Sequence, residues 1–155
     1  MKRSLLLPAI FTALVLSVAE VVIMTQSAQA GMPSNLTVMV DGLKNKNGQV
    51  CASLFARSNG FPWQKDRAVA AQCIRSNNLA SGFKFNNLKP GSYAVALFHD
   101  ANSDGKLNRG LFGISSEGMG RSRNPRGLMG MPRFQDAVIM MAGSNNTIQV
   151  ELNYL

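Results

Sequence analysis

The stretch 98–108 reads F-H-D-A-N-S-D-G-K-L-N, which sets Asp100, Asn102 and Asp104 at alternate positions and follows them with Gly105. Oxygens spaced this way along a tight turn can converge on a hard cation. Calcium takes roughly six to eight oxygens from carboxylates, amide and backbone carbonyls, and water. Set against the order of an EF-hand loop, the ligands here would be Asp100, Asn102, Asp104, the Lys106 carbonyl and Asn108, with Gly105 at the sharp turn. Leu111 stands where that loop needs its bidentate glutamate, and a β-rich run rather than a helix leads in, so a helix–loop–helix site is excluded. Glu117 closes the set if the chain folds back. Such a site would have the weak affinity of extracellular modules, roughly 10⁻⁴–10⁻³ M. The competing reading is an Asx-rich turn whose side chains cap backbone N–H groups.

His99, the single histidine, adjoins this turn. An enzyme acting on an envelope glycan or ester would use it with Glu117 or Asp100 as acid–base groups. Neighbours in a strand point to opposite faces, however, so the adjacency of His99 and Asp100 does not make them a pair. Ser115 and Ser116, the nearby hydroxyls, stand in no nucleophile motif. Non-enzymatic binding is therefore the preferred class, with no catalytic residue assigned. Cys51 and Cys73 are the only cysteines. An even count in an exported chain favours a structural disulfide, worth roughly 3 kcal/mol in the chain-entropy model.

The elements that must position these residues are strands. Leu36–Val40 alternates, Gln49–Phe55 follows the hairpin signal Asn47-Gly48, and the two read as an antiparallel pair. Ala68–Ile74 and Ser81–Phe85 read as strands. Ser92–His99 is a mostly apolar central strand, and Phe134–Met141 is another. Thr147–Tyr154 places Ile148, Val150, Leu152 and Tyr154 on one face and Gln149, Glu151 and Asn153 on the other. Between them, G-F-P-W (60–63) reads as a lid whose Trp63 folds onto the core, and 101–132 as one long functional loop. The methionines at 119, 129, 131, 140 and 141 read as core filler. About seven regularly spaced strands and no long amphipathic helix predict an antiparallel β-sandwich of immunoglobulin or transthyretin type.

The N-terminus reads as a targeting segment. Lys2 and Arg3 precede a mostly apolar run, and Ala28-Gln29-Ala30 supplies the small residues of a cleavage site, so 1–30 is expected to be a signal peptide and 31–155 one exported domain, periplasmic or extracellular. Lys2, Arg3 and Glu20 leave with it, so 16 basic and 8 acidic residues become 14 and 7, a net of +7. Arg121, Arg123, Arg126 and Arg133 fall in one short segment and, with His99, form the candidate binding set. Export points this charge toward anionic envelope polymers or lipid headgroups and away from nucleic acid. No later segment is long and apolar enough to span a bilayer.

F-N-N-L-K-P-G-S-Y-A-V-A-L-F-H-D-A-N-S-D-G-K-L-N, followed by G-I-S-S-E-G-M-G-R-S-R-N, resembles the domain of unknown function 2141 family of exported bacterial proteins, and the paired cysteines with the G-F-P segment resemble its cyanobacterial members in particular. The likeness runs from about Leu36 to Tyr154. His99, Asp100, Asn102, Asp104, Gly105, Lys106, Gly113, Glu117 and Gly120 match the family's pattern. Asn108, Ser115 and Arg121 depart from it, where Asp, Pro and Phe are usual. The resemblance implies a secreted or periplasmic β-sandwich, and the L-x-x-G-x-Y-x-V phrase is similar to transthyretin-like and carboxypeptidase-regulatory modules. It implies no mechanism. The expectation is thus an exported binding or accessory module whose 100–117 loop is organised around calcium or around its own backbone. Its basic segment would face anionic material. The alternatives are the hydrolase and a purely structural accessory domain.

Overall fold

Eight strands form two sheets in this computed structural model, which describes residues 32–108, 117–125 and 133–154. The strands are β1 (Ser34–Asp41), β2 (Gln49–Phe55), β3 (Ala70–Arg75), β4 (Phe83–Leu88), β5 (Gly91–Asp100), β6 (Met119–Arg121), β7 (Ile139–Met141) and β8 (Asn145–Glu151). One sheet has the order β4-β1-β8. The other runs β3-β2-β5-β6, with β7 pairing the start of β5 ahead of β6. This is the expected all-β sandwich, with one strand more than anticipated and one parallel pair, β1 with β8.

Alternation builds the interior. Leu36 and Val38 of β1, Phe83 and Phe85 of β4, and Val150 and Leu152 at the end of the chain meet Val50, Ala52 and Leu54 of β2 and Tyr93, Val95 and Leu97 of β5. The second face of β2 and β5 is covered as well. It carries Cys51, Ser53, Phe55, Ala94 and Ala96, all buried. Phe61 stands edge-on to Phe55 (ring centroids 5.4 Å apart) and to Phe134 (5.7 Å). Edge-to-face rings at this range attract beyond their buried area. A doubly covered β5 explains why its sequence is a nearly continuous apolar run.

Four expectations are corrected. β1 and β2 are not a hairpin, because they lie in different sheets and the 42–48 segment carries the chain between them. The run 134–141 is not one strand: Phe134–Ala137 forms a helical turn, held by the Arg133–Asp136 ion pair (2.9 Å) and by the Ser122 hydroxyl on the Ala137 carbonyl, and only 139–141 is strand. The loop after β5 is not structureless, since β6 pairs with Ala96–Phe98 inside it. In the 60–63 lid the half-buried Phe61 makes the ring contacts, and Trp63 is 39% exposed. Of the methionines, Met141 is buried but Met140 is exposed, while Met129 and Met131 lie outside the described residues, as does the 1–30 segment.

Cys51 and Cys73 face each other in register between β2 and β3 and form a disulfide (Cα–Cα 4.0 Å). The two sheets also join at one seam, where Met119 and Asn153 exchange backbone hydrogen bonds of 2.9 and 2.8 Å. At one end of the larger sheet the 45–48 turn lies directly against the exit of β5. Gly48 has φ +60°, and a Cβ there would sit 2.0 Å from the Asp100 carbonyl oxygen. Only glycine meets both demands. Gly48→Ala is expected to destabilise the protein by more than about 2 kcal/mol in urea unfolding, because strain and backbone displacement add.

Candidate functional site

The exit of β5 is built around two carboxylates. Asp100 is fully buried and accepts three hydrogen bonds: Oδ2 from the Gln49 side-chain amide (2.8 Å) and from Gly105 N–H (2.9 Å), and Oδ1 from Asp104 N–H (3.1 Å). Glu117, 6% exposed, comes back from the far end of the loop. Its Oε1 accepts from Ala101 N–H (3.1 Å) and its Oε2 from Asn108 N–H (2.8 Å). The two carboxylates thus take the N–H groups of 101, 104, 105 and 108, which no strand partner satisfies. That is the role of an Asx turn enlarged to two residues.

Asp104 plays the same part on the exposed side. Its Oδ1 accepts from Lys106 N–H (2.8 Å) and its Oδ2 from the side-chain amides of Asn102 and Asn108 (3.1 Å each). The Lys106 bond, then the Asn102 and Asn108 bonds, hold its carboxyl below the usual range. Asn102 also accepts from Asp104 N–H (3.2 Å). The fold therefore gathers Asp100, Asn102, Asp104, Lys106, Asn108 and Glu117 into one hydrogen-bonded loop. It does so through N–H donors. Among the described residues no three His, Cys, Asp or Glu side chains are placed to hold a metal ion. A calcium ion seated here would use the remaining lone pairs of these carboxylate oxygens, with the Asn102 and Asn108 amides turned so that their oxygens face it.

His99 points elsewhere, as strand alternation requires. Its Nε2 donates to the Asn47 carbonyl (2.8 Å), which can only accept. Its Nδ1 lies 2.8 Å from the Tyr154 hydroxyl, which also accepts from Lys44 N–H (3.2 Å) and so has its own proton free for the ring. His99 is 1% exposed, and neither Asp100 nor Glu117 is a partner of its ring. The ring ties three distant segments together: the 45–48 turn, the end of β5 and the C-terminus. Gly118 makes room for this latch, since a Cβ there would lie 2.4 Å from the Tyr154 ring. Tyr154 was legible only as one member of an apolar face.

The basic residues act on one carboxylate, that of Asp136. Arg133 pairs with Asp136 through two bonds (2.9 and 3.1 Å), and the charges of Arg121 and Arg123 act on the same group. The Arg133 bond, then the neighbouring guanidiniums, hold the Asp136 carboxyl below its ordinary value. Burial pulls the half-buried Arg121 guanidinium down, and Asp136 opposes that. Three cations thus act on one anion, Arg133 by direct contact and Arg121 and Arg123 through their charge alone. The signal for Asp136 was present in R-F-Q-D, an opposite-charge pair three residues apart. Arg126, Ser115 and Ser116 lie outside the described residues.

A family model described as an uncharacterized protein conserved in bacteria, domain of unknown function 2141, matches residues 38–149, and the chain belongs to that family. No curated protein and no solved structure matches it. No helix among the described residues is long and apolar enough to cross a membrane.

The latch carries its own pH dependence. Desolvation raises the Tyr154 phenol above its ordinary value. A raised folded-state pKa gives stability that is fully present below the unfolded value, about 10, and is lost as pH rises through the folded one. Tyr154→Phe should cost about 1–2 kcal/mol at neutral pH, because it leaves the buried His99 Nδ1 without a donor. The melting temperature of the variant should also fall less than that of the parent as pH rises above about 10.

Proposed function

We propose, from membership of this bacterial family, that the protein is an exported, non-enzymatic β-sandwich module. Its arginine face holds an acidic polysaccharide of the cell envelope. The observation that carries this reading is the Arg133–Asp136 pair, whose carboxylate also feels the charges of Arg121 and Arg123, so that three cations share one anion. The face keeps two uncompensated positive charges, and the partial burial of Arg121 raises the value of an incoming anion. Planar guanidinium groups match carboxylates with two parallel hydrogen bonds, and several of them side by side suit a repeating polyanion. The net +7 of residues 31–155 works in the same direction at longer range. Export rests on the N-terminal segment, with its Lys2-Arg3 start and Ala28-Gln29-Ala30 cleavage pattern.

In this reading the 100–117 loop is organised by its own backbone, and calcium is not needed to hold it. What supports this is that Asp100 and Glu117 already carry N–H donors on both oxygens. A non-enzymatic role is favoured because both His99 nitrogens serve the Asn47–Tyr154 latch.

Binding of the purified protein to polygalacturonate and to a neutral glucan, measured over a range of salt, tests the reading. Polygalacturonate should bind and weaken with added salt, and the glucan should not bind. Changing Arg121, Arg123 and Arg133 together to Gln should weaken binding about tenfold, since exposed charge contacts are worth up to about 1 kcal/mol each. Equal binding of both polymers, or an unaffected triple variant, would refute it. Binding only to anionic vesicles would move the partner to lipid headgroups.

A further inference from the structure

A second cationic feature lies at the opposite edge of the same sheet, and it does not rest on the arginine face. At the β5 exit, register sets Arg75 of β3 opposite Gln49 of β2, and Gln49 opposite Asp100 of β5. Residues directly opposite in an antiparallel ladder share a face, so cation, amide and carboxylate stand in one row. Asp100 would be the natural partner of Arg75. It is fully buried and already accepts from Gln49, Asp104 and Gly105. Among the described residues the only ion pair is Arg133–Asp136, so Arg75 and its neighbour Lys46 have none.

These two cations flank an open cleft of about 450 Å³, lined further by Gly48, Gln49, Asn77 and Ser103. Among the described residues the lining holds no carboxylate and no apolar side chain. It consists of two cations, two amides, one hydroxyl and a glycine backbone. Its volume is within the range of small-molecule sites, but those are mostly apolar. A mostly polar cleft suits a hydrated, hydroxyl-rich anion instead.

The walls are fixed in advance. Ser76, 3% exposed, donates its hydroxyl to the Asn47 carbonyl (2.8 Å) and its N–H to the Gly48 carbonyl (3.1 Å). His99 holds the same Asn47 carbonyl from the other side (2.8 Å). Ser103 is held at φ +60° within the loop that Asp100 caps. The backbone is thus set before a ligand arrives, and the exposed side chains of Lys46, Arg75, Asn77 and Ser103 are what a ligand would order.

We propose that this cleft binds one acidic sugar unit. Arg75 and Lys46 hold its anionic group, and Gln49, Asn77 and Ser103 meet its hydroxyls. The chemistry is shared by uronates and sugar phosphates.

The test is amide chemical-shift titration of the full chain with glucuronate, glucose 6-phosphate, glucose and acetate. Glucuronate or glucose 6-phosphate should shift the signals of 46–49, 75–77 and 103, and the stronger of the two names the source of the anion. Both cations are exposed, so Lys46→Ala with Arg75→Ala should leave the melting temperature unchanged while weakening that response at least tenfold. An equal response to glucose would overturn the proposal. So would an equal response to acetate, which would mean an anion site without sugar recognition, or shifts at 121–123 and 133 in place of the cleft. The last result would leave the polysaccharide reading standing. Loss of polymer binding with an intact cleft response would do the reverse.

Discussion

The Asp100 carboxylate is the point on which one end of this molecule depends. It sits at the last position of the central strand with no exposed surface, and it takes its three donors from three places: the adjacent strand, the turn itself and the glycine that ends the turn. A buried acceptor is costly when its donors are missing and neutral to favourable when they are present. Here they are present because the chain reverses within five residues. Glu117 repeats the arrangement from the other side of the loop and closes it. The alternate spacing of oxygens that suggests a calcium loop is equally the spacing at which side chains reach the N–H groups of their own turn.

Much else is consequent on that anchor. With the β5 exit fixed, Gly48 can lie against it and His99 can reach the Asn47 carbonyl. The same turn receives Ser76 from the end of β3, and the C-terminus docks through Tyr154. The two cationic features occupy the two edges of the sheet that β5 centres, one on β3 and one beside β6. On the proposed reading, these charged edges of one frame are what would hold a hydrated polyanion, which needs positioned charge more than enclosure.

The readable parts of the sequence were those whose signals are local. The alternation at 147–154, the buried run at 92–99 and the cysteine pair each state their structure within a few residues, and each is realised. The hairpin of β1 with β2 failed because partner choice is a long-range matter. Asn47-Gly48 marks a turn truly, but its glycine serves a close approach to Asp100 rather than a two-residue reversal. β6 was invisible because Met119-Gly120-Arg121 has no β-branched residue and is placed by pairing alone. At 134–137 the apolar pattern suggested strand, and an ion pair with a serine cap decided for a helical turn. The fold brings the loop residues together as a group. Their bonding stays open in the sequence between two readings, since a carboxylate reads the same whether it will meet a cation or a backbone N–H.

Amide hydrogen exchange of the protein in the presence of a chelator, repeated with millimolar calcium, addresses the central claim most directly. If Asp100 and Glu117 organise the loop through backbone N–H groups, the amides of Gly105 and Asn108 are protected without metal, and calcium leaves their rates unchanged. Fast exchange at both amides in chelator, converted to protection when calcium is added, would contradict the account and make the loop a metal site.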